Sequence, residues 1–256
     1  MKIAVIVKTD LNDPKVYTTH RAKVNFNPDN LFLSSADKSA IEYALKCIKN
    51  QSGEVDTYTF ENGILADRVL HEALAMGVNT ATKFVGVDSY DPLQTTIIAK
   101  QFADYIKKHG NYDLIITGYG RECDNLAPFI AKNLNMEFID HVSKIDTDSS
   151  FETKLEKGVI KGRLEYPAVV SVLDSINTPH LPSFINLRDA FDAQINKVSL
   201  STSEEHSKIV ADQTKQEQII FDLHQDPDAV QKLVDVLKND GILKWGTIWN
   251  QFIIFK

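Results

Sequence analysis

Short unbroken runs of apolar residues recur along the first part of the chain, and each is followed by a stretch whose apolar positions repeat with helical spacing. The first run, Lys2–Val7 (KIAVIV), has the continuous apolar character of a central parallel strand covered on both faces. Residues 11–33 show neither period and contain Asp-Pro and Asn-Pro steps, so they are expected to be loop. The next segment, SADKSAIEYALKCIKN, puts Ala40, Ile41, Ala44, Leu45 and Ile48 on one face and predicts a helix. Ser34 or Ser35 can cap it, and Asp37 falls in its first turn, where the helix dipole favours an anion.

The alternation goes on. EVDTYTF predicts a strand, LADRVLHEALAM a helix closed by Gly77, and ATKFVGV a strand. DPLQTTIIAKQFADYIKKHG follows as a helix with proline at its start and glycine at its end, and DLIIT as a fourth strand. Strands alternating with helices of this length predict an α/β fold with a doubly wound, mostly parallel, Rossmann-like sheet and right-handed crossovers. After about Phe138 the pattern changes. FETKLEKGVIKGRLEY alternates on either side of a Lys-Gly turn, as a hairpin does, and PAVVSVL supplies another strand. From Asn177 to about Gln225 the chain is polar and without clear periodicity, which suits an extended arm better than one long loop inside a domain. A last helix, DPDAVQKLVDVLKNDGIL, aligns Val230, Leu233, Val234 and Leu237. The terminal WGTIWNQFIIF is so apolar that it is expected to dock on another surface.

Composition narrows the function classes. With 256 residues and 43% apolar content, the chain can bury a substantial core. The net charge of −7 and the lack of a basic run argue against nucleic acid as a partner. No segment approaches the ~20 apolar residues of a membrane span, and the N-terminus is too short and polar-flanked for a signal peptide. The two cysteines, Cys47 and Cys123, form no CxxC pair, and the seven histidines have no ligand spacing. Neither a disulfide framework nor a metal site is expected, and a cytoplasmic location is the default. Gly-x-Ser-x-Gly, GxxxxGK[ST] and GxGxxG motifs are absent, and no acid, base and nucleophile set is evident.

The candidate chemistry lies in LIITGYGRECDN. A buried strand ends at Thr117-Gly118, a loop carries Tyr119, Gly120, Arg121, Glu122, Cys123, Asp124 and Asn125, and LAPFIAKNL opens a helix. Strand, glycine-broken loop and helix is a common way of holding an anion on backbone N–H groups and a helix start. It is equally an ordinary strand-to-helix connection.

Three segments decide which family to compare. EALAMGVNTATKFVGVD (72–88), YPAVVSVLDSINTPHLPS (166–183) and VQKLVDVLKNDGIL (230–243), in that order and with IVK near the start and DPLQT at 91–95, resemble the β subunit of electron transfer flavoproteins. The resemblance implies a heterodimer with an α subunit carrying a redox-active FAD. It also implies AMP, or in electron-bifurcating members a second FAD, in the β subunit, and electrons passing from a dehydrogenase to an acceptor. An NADH-linked bifurcating role is one version of this. By the same resemblance the nucleotide meets Ile6, Val7 and Lys8, the segment Ser34, Ser35, Ala36 and Asp37, and the loop from Gly118 to Asn125. The family's Asn-Pro is here Ser34-Ser35, and its loop is longer, so this chain reaches Pro128 a few residues sooner. The implied organisation is a nucleotide-binding domain over residues 1–182 and an arm over 183–256 that contacts the partner subunit. Two other readings stay open: an adenine-nucleotide module of the universal-stress kind, and a structural β subunit that has lost its nucleotide.

Overall fold

Lys2–Ile6 forms β1, and its alternating side chains face two different cores. Ile3, Val5 and Val7 pack in one, Ala4 and Ile6 in the other. The computed structural model describes residues 1–10, 17–20, 23–27, 30, 32–49, 52–87, 94–120, 126–201 and 226–241. It divides into two compact units, Met1–Ala211 and Asp212–Lys256. In the first, β2 (Tyr17–His20) and β3 (Lys23–Phe26) make a small antiparallel ribbon within the stretch expected to be loop. Then come α1 (Ser35–Ile48), β4 (Glu54–Thr59), α2 (Gly63–Met76), β5 (Thr80–Val85), α3 (Thr95–His109), β6 (Leu114–Gly118) and α4 (Leu126–Leu134). β7 (Glu137–Ile145), β8 (Ser150–Leu155), β9 (Gly158–Arg163), β10 (Ala168–Val172), α5 (Phe184–Phe191) and β11 (Asn196–Ser199) complete it.

The sheet has nine strands in the order β11-β5-β4-β1-β6-β10-β7-β8-β9. β11 through β7 are mutually parallel, and β8 and β9 add an antiparallel hairpin at one edge. α1 and α2 cover one face, with Ala40, Ile41, Val69 and Leu70 fully buried. α3 and α4 cover the other, through Ile98, Phe102 and Ile130. The fold is therefore mixed α/β with a mostly parallel, Rossmann-like sheet. On the α3 side, Tyr58, Phe60, Phe84 and Phe102 pack ring on ring at 5.1–5.8 Å between centroids. Below them the Tyr58 and Tyr112 hydroxyls lie 2.6 Å apart, and Tyr112 donates to Asp56 at 2.6 Å, so the polar atoms of this core have partners.

Chain order makes the site. After β1 the chain moves outward to β4 and β5, then crosses over β1 to lay down β6 on its other side. The connections leaving β1 and β6 diverge, and the crevice at the carboxyl ends of those two strands is where open α/β sheets place ligands.

Residues 183–199 differ from the expected arm. α5 packs on α2, with Phe191 against His71 and Arg68, and β11 pairs in parallel with β5. The domain thus continues past residue 182. The cause is that α5 has only eight residues with Ala190 alone buried, and β11 is a four-residue, mostly exposed edge strand, so neither writes a period into the sequence. The second unit is described only through α6 (Ala229–Asn239), on which Val230 and Leu233 are exposed. Residues 202–225 and the apolar terminus from 242 lie outside the described residues.

Candidate functional site

Beyond β1 the backbone stays extended for several residues. Val7 N–H still donates to Tyr58 at 2.8 Å, and Thr9 bridges Leu33 in antiparallel fashion. Asp10 N–H donates to Phe32 at 3.1 Å and Ser34 N–H to Lys8 at 3.3 Å. Residues 32–34 therefore run back beside the β1 exit and set the start of α1 above the crevice. Ser34 is the N-cap, its Oγ accepting from Asp37 N–H at 3.0 Å.

Asp37 is the hinge of the site. It is 1% exposed. Its Oδ2 accepts from Lys8 N–H at 3.0 Å and from the Ser34 hydroxyl at 2.8 Å, and its Oδ1 accepts from Gly118 N–H at 2.9 Å. One carboxyl thus ties the first turn of α1 to the exits of both β1 and β6. Burial pushes the Asp37 carboxyl up from 3.8 to about 6, against the opposing pull of the Lys8 charge and of the bonds from Lys8, Ser34 and Gly118. The native state therefore holds this proton more tightly than the unfolded chain does. The resulting stabilisation is complete below about pH 4 and lost as the pH rises through about 6. For a fully buried group the shift corresponds to about 3 kcal/mol. Measured by urea unfolding, wild type should lose about 2–3 kcal/mol between pH 4 and pH 7 relative to Asp37→Asn, which cannot titrate there. A pH-independent difference would mean that burial does not perturb this carboxyl.

The β6 exit approaches α1 so closely that no side chain fits. A Cβ on Gly118 would stand 2.5 Å from Asp37 N and 2.6 Å from the Ala36 carbonyl carbon. Its φ is not in the left-handed range, so glycine is required here for space. Tyr119 N–H donates to Val172 at 2.7 Å, carrying the chain across the end of β10. On the other side, at the β4 exit, Glu61 accepts from Thr9 twice, N–H and Oγ1 each at 2.8 Å, and both residues are buried.

Of the residues expected from the sequence, Lys8, Ser34, Ser35, Ala36, Asp37, Gly118, Tyr119 and Gly120 gather at this carboxyl edge. Ile6 and Val7 are there as backbone only, since both side chains lie in the core. Arg121, Glu122, Cys123, Asp124 and Asn125 lie outside the described residues. Sequence reasoning missed Thr9 and Glu61 at the same edge. The available signal was a polar residue directly after an apolar strand run. Cys47 lies away from this edge on the last turns of α1, and burial holds its thiol above the ordinary value, the unreactive end of thiol chemistry. Among the described residues no group of three or more His, Cys, Asp or Glu is placed to hold a metal, and no helix is long and apolar enough to cross a membrane.

The arrangement offers a backbone-lined crevice at a topological switch point, closed below by a fully engaged carboxyl. Ser34 and Asp37 already occupy the first turn of α1, so that helix start is capped from within the chain. Residues 26–203 match the electron transfer flavoprotein domain, a span that covers most of the chain and every described element of the site beyond β1 and its exit. The chain belongs to the electron transfer flavoprotein domain family.

Proposed function

We propose that this chain is the β subunit of an electron transfer flavoprotein. In this reading it pairs with an α subunit that carries the redox-active FAD and accepts electrons from a dehydrogenase. Its own crevice holds AMP or a second FAD. The observation that carries the reading is the Asp37 clasp, which holds the exits of β1 and β6 and the start of α1 around the switch point. The family match and the three resembling segments support the same reading.

The flavin supplies the electron chemistry, and the chain's own residues supply position. Adenine and ribose are assigned to the backbone at Val7–Thr9, and the N–H groups at the start of α4 to the phosphate side, since those of Gly118 and Tyr119 already donate to Asp37 and Val172. Arg121 is assigned here to a phosphoryl oxygen. A structural β subunit without nucleotide is the second reading, favoured by the shortened loop between Gly118 and Pro128.

Co-expression with candidate α subunits tests the assignment. The proposed function predicts a stable heterodimer with one flavin per pair if the β site holds AMP, and two if it holds FAD. A flavin-bearing pair whose β subunit releases no nucleotide would support the structural reading. A chain that stays alone with every α subunit tried would overturn both.

A further inference from the structure

Sheet register breaks once between β7 and β10, at the same carboxyl edge as the Asp37 clasp. Ile139 pairs with Val170 and Val142 with Val172, so Asp140 and His141 together face the single residue Ser171. That is a β-bulge, a device that re-aims a side chain and is common beside binding sites. His141 has φ 56°, a left-handed backbone that a non-glycine residue adopts at a cost of about 1 kcal/mol or more. Asp140 holds it from two sides, accepting His141 N–H at 2.8 Å and facing its Nδ1 at 2.9 Å. The Tyr119 ring lies against the imidazole, centroids 4.1 Å apart, and Tyr119 is the residue that follows Gly118. The other ring nitrogen, Nε2, has no hydrogen bond among the described residues, and the ring remains partly exposed.

The geometry points to His141 as a phosphate-contacting residue of the nucleotide crevice, oriented by Asp140 and supported by Tyr119. This inference rests on the nucleotide reading above. With Nδ1 held by Asp140, the ring leaves Nε2 to face a phosphoryl oxygen. The start of α1 is already filled by Ser34 and Asp37, which leaves the β6, β10 and β7 side for the anionic end of the ligand. Carboxylate-bound histidine on a bulge is also more structure than packing alone requires, since the core residues on either side, Ile139 and Val142, are buried without it.

The test uses the full chain, freed of any bound nucleotide, with ADP and adenosine as probes in titration calorimetry. The variants are His141→Asn and His141→Gly, whose residues tolerate the left-handed backbone, and Asp140→Asn. Both His141 variants should bind ADP about tenfold more weakly, as for the loss of one charge-assisted hydrogen bond, with adenosine affinity unchanged. Asp140→Asn should weaken ADP in the same direction, again without effect on adenosine. ADP affinity equal to wild type in the His141 variants, or an equal loss for adenosine, would overturn the phosphate role while leaving the nucleotide reading intact. A wild type that binds neither probe would overturn the nucleotide reading itself, and this role with it.

Discussion

Gly118→Ala should destabilise the domain by about 3 kcal/mol, at the upper end of the usual cost of overpacking. The added Cβ meets the backbone of Ala36 and Asp37, 2.5–2.6 Å away, and backbone does not step aside as a flexible side chain would. Either α1 lifts from the sheet or β6 shifts at its carboxyl end. In both cases the Gly118–Asp37 hydrogen bond lengthens and the crevice opens. Urea unfolding gives the stability loss, and nucleotide content of the purified protein gives the functional one. A variant within 0.5 kcal/mol of wild type, the range of ordinary surface changes, would mean the close approach is absent.

Asp37→Ala is expected to cost roughly 3–4 kcal/mol through a different route. It removes the acceptor for two N–H groups, those of Lys8 and Gly118, and an unpaired buried donor costs about 1–3 kcal/mol. The Ser34 cap survives, because its Oγ accepts from the residue 37 backbone N–H and not from the lost side chain. The helix should therefore persist while the strand exits loosen. Hydrogen exchange separates the two effects: amides at 8 and 118 should lose protection and those inside α1 should keep it. Uniform loss of protection along α1 would contradict this division.

Much of the sheet could be read from the sequence because three of its parallel strands are largely apolar on both faces. KIAVI, LIITG and AVVSV contribute alternately to the two cores, with a polar residue, Thr117 or Ser171, only near the carboxyl end of the last two. β7 was not legible for the converse reason: its bulge inserts Asp140 and His141 into the run and breaks the period of two. α5 and β11 were missed because short, exposed elements held by one neighbour leave little pattern. At the site, the residue types at Ser34, Asp37 and Gly118 were visible, but their contact was not. Gly118 is 81 positions from Asp37, and only the crossover from β5 over β1 to β6 brings it to the start of α1. Thr9 and Glu61 meet because β1 and β4 pair in parallel and end side by side.

The central claim is that the edge held by Asp37 and Gly118 carries an adenine nucleotide. Heat release of bound small molecules from the freshly purified full chain with its partner, followed by mass analysis, tests it most directly. The account predicts AMP or FAD at close to one per β subunit, beyond any FAD bound to the α subunit, and its loss from the Gly118→Ala variant. A wild-type complex that releases no nucleotide attributable to this chain would contradict it.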